Sequence, residues 1–247
     1  MTPVETGMTL AVVLLVGVLI GAAGVGGVLL APWLVHGVGL PVQQAAGIAM
    51  LGFVGPGLAA LFNATRTHGV GWPVRWAMVV ATLPGALAGA LLLAYLPERI
   101  ALLVLAVAVT VVGLRLLRRS EAVPGQPPRS GGGWRTGLVA GFGSALTVTS
   151  GAVVLTPLLL WRGVPLPEVI AASQLVQLPI AASATAVNLT ATAGFPWLPG
   201  LVIAVLLVPG MQAGRRIGGR VPPVALARLV GALLLLAGVL SVGRALG

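Results

Sequence analysis

The chain has 247 residues, of which 58 % are hydrophobic and 7 % charged, whereas soluble domains carry about 25 % charged residues. Its basic side chains are all arginine, and the formal charge of +10 is spread over the ends of apolar segments. This excludes a water-soluble enzyme or a nucleic-acid-binding domain, and the absence of cysteine excludes disulfides, thiolate chemistry and iron–sulfur clusters. Long apolar runs recur from end to end, without the alternating segments of about 10 residues that mark a membrane β-barrel. The composition predicts an all-α polytopic membrane protein.

The first apolar segment covers 8–35. The residues before it, Met1 to Gly7, include Glu5 and no basic residue, unlike the basic leader of a signal peptide, so the segment is expected to stay in the protein. It is interrupted by Gly24-Val25-Gly26-Gly27, with Pro32 following. A glycine inside a helix costs about 1 kcal/mol and a proline about 3 relative to alanine. Within a membrane a broken backbone survives only where protein or a water-filled cavity surrounds it. Apolar segments follow at 42–62, 72–96 and 99–117, and then a polar, proline- and glycine-rich linker at 118–133. After the linker come 134–161, broken at Ser150-Gly151 with Pro157 beyond it, then 168–192, 197–217 and 224–243.

The two sides of the linker match each other at a shift of 125 positions. Gly26, Pro32 and Asn63 align with Gly151, Pro157 and Asn188. Gly69, Trp72, Pro84, Gly85 and Gly89 align with Gly194, Trp197, Pro209, Gly210 and Gly214, and Pro97 and Gly113 with Pro222 and Gly238. The chain therefore divides into two homologous halves, 1–117 and 134–247, around a cytoplasmic linker. If every segment crossed once, Arg215, Arg216 and Arg220 would lie opposite the Arg-rich linker, against the positive-inside rule. If the first segment of each half turns back at its glycines, these arginines, together with Arg66, Arg75 and Arg162, share the linker's side. Only Arg99 and Arg244 then lie outside. Each half is read as one glycine-broken, re-entrant segment plus three transmembrane helices, and the halves as inverted repeats, a recurrent transporter design.

The pattern Gly-x-Gly-Gly-x-x-x-x-Pro from Gly24 to Pro32, followed by Gly39-Leu40-Pro41 and an alanine-rich segment, resembles the TauE/SafE sulfite-exporter family of bacterial anion permeases. Its shorter repeat from Ser150 to Pro157, leading into Gly163-Val164-Pro165, is similar, as are the Gly-x-x-x-Gly pairs at Gly85–Gly89 and Gly210–Gly214. The resemblance covers almost the whole chain. It implies a multi-pass permease of the bacterial inner membrane that moves sulfite, thiosulfate or a sulfonate, with no cofactor.

The chain has no lysine to meet a buried anion, and neutral donors offer an alternative. Glycine-broken helices offer unpaired N–H groups and the positive end of a helix dipole, which makes Gly24, Gly26, Gly27 and Gly151 candidates. Hydroxyls and amides add Thr147, Thr149, Ser150, Ser173, Gln174, Gln177 and Asn188 in the second half, but only Gln43, Gln44 and Asn63 in the first. Gln174 and Gln177 share a helix face, and a glutamine in mid-segment needs a polar partner. The Gly-x-x-x-Gly pairs are read as close helix packing, the tryptophans near segment ends as the interfacial belt, and His36 and His68 as solvated loop residues. Glu5, Glu98, Glu121 and Glu168 all fall in loops or at segment edges, so no intramembrane carboxylate is available to couple transport to protons or sodium. Two scattered histidines without cysteine or aspartate supply neither a metal site nor a catalytic base, although Gly141-Phe142-Gly143-Ser144 has the Gly-x-Ser setting of an intramembrane serine protease. An anion or small-solute channel is the other alternative, and both a monomer and a homodimer are open.

Overall fold

A computed structural model describes residues 3–24, 26–66, 72–117, 133–162, 164, 166–191, 195–217 and 223–246. The linker 118–132 and His68, Gly69, Gly163, Pro165, Gly194, Arg220 and Pro222, on which expectations were placed, lie outside the described residues.

All described secondary structure is helical: α1 (Pro3–Ala23), a 3-10 turn (Gly26–Leu29), α2 (Leu30–His36), α3 (Val42–Arg66), α4 (Trp72–Tyr95) and α5 (Glu98–Leu117) come before the linker. After it come α6 (Gly133–Leu146), α7 (Ala152–Trp161), α8 (Leu166–Ala191), α9 (Trp197–Ile217) and α10 (Pro223–Leu246). Four stretches, in α3, α4, α8 and α9, are long and apolar enough to cross a bilayer, and the helices of 6–22, 26–36 and 231–243 are shorter apolar ones. At 1.5 Å per residue the long ones reach the roughly 30 Å of a hydrocarbon core.

α3 and α8 form the centre. Of their spanning stretches 61 % is buried in each, against 39 % in each of α4 and α9. The outer faces of α4 and α9 instead expose large apolar side chains such as Val80, Leu87, Leu91, Leu198, Leu201 and Val205. Such a rim is stable only against lipid tails. A Cβ placed on Gly47 would press on Asn188, and one on Gly57 on Leu178, so α3 and α8 run antiparallel. Around them the partners recur in pairs: α1 packs on α9 and α6 on α4, α3 packs on α9 and α8 on α4, and α5 packs on α10.

The closest of these contacts depend on glycine. Gly85 and Gly89 of α4 lie against the carbonyls of Leu138 and Phe142 of α6, and Gly210 and Gly214 of α9 against Leu14 and Val18 of α1. Any side chain there would strike backbone, and so the Gly-x-x-x-Gly pairs join helices within the chain. Pro56, Pro84, Pro179 and Pro209 stand inside α3, α4, α8 and α9. Each removes one helical hydrogen bond, which tight neighbours in a membrane protein tolerate.

At each break the chain turns back along the helix it has just left. Gly26 packs on Val16, Leu19 and Ile20 of α1. Further along, the Trp33 indole N–H donates to the Thr9 hydroxyl at 3.4 Å. In the second hairpin Arg162, just past α7, donates to the Thr136 hydroxyl near the start of α6. Both hairpins are thus closed at their open ends by a side-chain bond. One expectation is corrected here: His36 is not a solvated loop residue. It ends α2, and its Nε2 lies 2.6 Å from Ser241 Oγ of α10. Ser241 gives its own proton to the Ala237 carbonyl at 2.8 Å, so it accepts from His36.

Candidate functional site

The second break begins where α6 ends at Leu146. Thr147 continues the helix by its N–H to the Gly143 carbonyl at 3.0 Å and caps the same oxygen with its hydroxyl at 2.6 Å. Val148 then adopts φ 52°, a left-handed conformation that is rare for a β-branched residue and costs about 1–3 kcal/mol. The Thr149 N–H returns to the Ser144 carbonyl at 2.8 Å, and Gly151 at φ 84° releases the chain into α7. The described residues of the first break are glycines. The Gly24 N–H closes α1 on the Ile20 carbonyl at 3.0 Å, its own φ is 74°, and the 3-10 turn starts at Gly26.

These two breaks meet inside the molecule. A Cβ on Gly27 would lie 2.5 Å from Ser150 Cβ, 2.6 Å from Ser150 Oγ and 3.1 Å from the Phe53 ring. Only a hydrogen at position 27 lets the hairpins touch. Helix α8 passes both: a Cβ on Gly24 would meet Ile170 at 3.7 Å, and one on Gly151 would meet Ile180 at 3.1 Å, Val176 at 3.2 Å and the Ser173 carbonyl at 3.8 Å.

The polar groups at this junction lack partners among the described residues. Ser150 Oγ, Ser173 Oγ and Gln177 Nε2 are buried and accept or donate no hydrogen bond, and Ser144 Oγ and Thr185 Oγ1 are in the same condition. A buried group left unsatisfied costs about 1–3 kcal/mol. Three such groups within one turn of α8 and the adjoining break are a cost without return unless something else fills their valences. The first N–H groups of α7 point the same way, since the opening turn of a helix has no intrahelical acceptors. The arrangement can hold a compact acceptor with several oxygens.

Of the expected residues the junction brings together Gly27 and Ser150, with Gly24 and Gly151 against α8, and Gly151 beside Ser173; Gln177 follows Val176 on the turn of α8 that passes Gly151. Gly26 packs back on α1, Thr149 is fully buried beside the Thr147 hydroxyl at 3.2 Å, and Gln174 is buried on α8. Others have local roles. The Gln43 amide donates to the Leu96 carbonyl at 3.1 Å, tying α3 to the end of α4, and Gln44 shares that first turn of α3. The Asn188 amide donates to the Ala184 carbonyl of its own helix at 2.7 Å, while Asn63 lies half-buried near the end of α3. Phe53 was not foreseen. Its counterpart at the repeat shift is Leu178, so the duplication carries no sign of it.

A scan against family models matches Sulfite exporter TauE/SafE over residues 9–241. The chain belongs to the TauE/SafE sulfite exporter family. Members of this family are transporters, which sets the enzyme alternative aside, and the match takes in both hairpins and the central helices α3 and α8. No curated protein and no solved structure matches the chain. As a TauE/SafE protein it is a multi-pass membrane transporter of sulfur anions.

Proposed function

We propose that the chain is an inner-membrane permease that exports sulfite, or a related sulfur oxyanion or organosulfonate, through the junction of its two hairpins. The observation that carries this reading is the contact of Gly27 with Ser150 beside the unpartnered Ser150 Oγ, Ser173 Oγ and Gln177 Nε2. An anion with several oxygens satisfies the hydroxyls, the amide and the N–H groups of α7 at once.

The halves 1–117 and 134–247 are inverted repeats in this reading. Support comes from the exchange pattern of packing, α1 on α9 with α6 on α4, and from the antiparallel pair α3 and α8. Each hairpin enters from one face and leaves by the same face, and rocking of one half against the other exposes the junction to alternate sides. Transport needs no coupling carboxylate. Glu98 and Glu168 each stand in the first turn of a helix, and an inside-negative potential favours anion exit by about 2.3 kcal/mol per charge per 100 mV.

The test is sulfite efflux from proteoliposomes under an imposed potential, with chloride as a competitor. Saturable, potential-sensitive efflux that weakens in Gln177→Ala is expected. Flux of every anion without saturation would make the protein a channel, and accumulation driven by a pH gradient at zero potential would overturn uncoupled export.

A further inference from the structure

We infer, on the transport reading above, that the anion carried at this junction is singly charged: hydrogensulfite and sulfonates pass, while the sulfite dianion, thiosulfate and sulfate are refused. Every donor at the junction is neutral. Ser150, Ser173 and Gln177 are 2 %, 1 % and 2 % exposed, and none of their free polar atoms has a partner among the described residues. The chain carries no charged residue over 11–35, 42–65, 136–161 and 169–214, which include both breaks and most of α3, α8 and α9. The charges of the other packed helices stand near their ends, Glu5 in α1, Arg75 in α4 and Arg228 and Arg244 in α10. Of the flanking arginines, Arg162 sits at the open end of the second hairpin on Thr136, and Arg215 stands in the last turn of α9 with its backbone against Gly21 of α1.

This donor set treats one charge and two charges very differently. The cost of stripping water from an ion rises with the square of its charge, whereas the return from fixed neutral dipoles rises only in proportion to it. Two charges therefore cost about four times as much to bury as one and recover about twice as much. With a cation in the site the balance would shift toward the dianion, and none of the described residues placed at the junction is one. Shape agrees with charge. Two hydroxyls, the Gln177 amide and the first N–H groups of α7 supply donors enough for the three oxygens of a pyramidal sulfur centre. Its fourth position, a proton or a carbon, then faces the apolar Phe53, Val176 and Ile180 that border Gly27 and Gly151.

The experiment measures sulfite efflux from proteoliposomes holding the full chain, across the pH range over which hydrogensulfite loses its last proton, with protein-free liposomes as background. Methanesulfonate, singly charged throughout, is measured in parallel and reports any effect of pH on the protein itself. The KM for total sulfite is expected to rise about tenfold per pH unit above that dissociation, while the KM for methanesulfonate stays constant. Methanesulfonate should compete with sulfite, and sulfate and thiosulfate should not. Saturable sulfite efflux with a KM that stays level or falls as pH rises would overturn the single-charge assignment and leave the exporter reading standing. Competition by sulfate equal to that by methanesulfonate would do the same. Failure of both sulfite and methanesulfonate to move would overturn both readings together.

Discussion

The two breaks occupy matching places in the chain and are built from opposite chemistry. The first has Gly24, Gly26 and Gly27, which offer only backbone. The second has Thr147, Thr149, Ser150 and Gly151 and presents hydroxyls. The same contrast extends to the central helices, where Ser173 and Gln177 of α8 stand opposite Ile48 and Gly52 of α3 at the repeat shift. Both breaks turn the chain and both use a glycine at positive φ to do so. Among the described residues, only the second carries buried polar side-chain atoms without partners. A shared fold needs both turns, but a single small ligand needs only one set of donors, and the other break can then serve as the smooth surface that closes on it.

The sharpest way to break this division of labour is to roughen the smooth side. Gly27→Val would drive its side chain into Ser150 and Phe53, and overpacking of this kind costs about 3 kcal/mol. Loss of sulfite transport and a lower Tm in detergent are expected, and a variant with normal transport would show that the hairpins need not touch. Next comes the polar side. Gln177→Leu removes a buried amide that has no partner, so Tm should hold or rise, while transport falls about 10- to 100-fold through the lost hydrogen bond to a charged ligand. A parallel loss of Tm would assign Gln177 to the scaffold instead.

Smaller effects sharpen the contrast. Ser150→Ala and Ser173→Ala should each raise the KM for sulfite about tenfold with little change in Tm. Gly24→Ala and Gly151→Ala both place a side chain at positive φ, at about 1 kcal/mol each. Gly24 meets only Ile170 at 3.7 Å, but Gly151 also meets Ile180 at 3.1 Å and Val176 at 3.2 Å. Thermal unfolding should therefore drop further for Gly151→Ala, and only that variant should raise KM. Smallest of all, Thr147→Val breaks a hydroxyl bond to the Gly143 carbonyl. It should lower stability by about 1 kcal/mol and leave the KM for sulfite unaltered in uptake and efflux assays.

The glycine and proline punctuation made much of this legible before any fold was known. Each costs free energy inside a helix, so Gly24, Gly27, Gly151, Pro84 and Pro209 stand out where leucine and valine do not. The uneven supply of hydroxyls and amides was visible for the same reason. Phe53 was not visible, because an apolar residue in an apolar helix carries no local signal of what it faces. The left-handed Val148 and the His36–Ser241 bond were not visible because the first is set by the turn around it and the second joins residues 205 positions apart. Gln43 and Asn188 read as strongly as Gln177 by residue type, yet the first ties down a helix end and the second bonds its own backbone.

The sequence by itself determined the membrane class, the helical segments, the positions of the two breaks and the family, since hydropathy and backbone cost are properties of single residues and their near neighbours. Tertiary structure decided which break meets which helix, which amides are satisfied and which are left over. Those are questions of distance between segments far apart in the chain, and only the packing of α1 on α9, α6 on α4 and α3 against α8 brings Gly27 to Ser150 and the second break to the turn of α8 that carries Ser173 and Gln177.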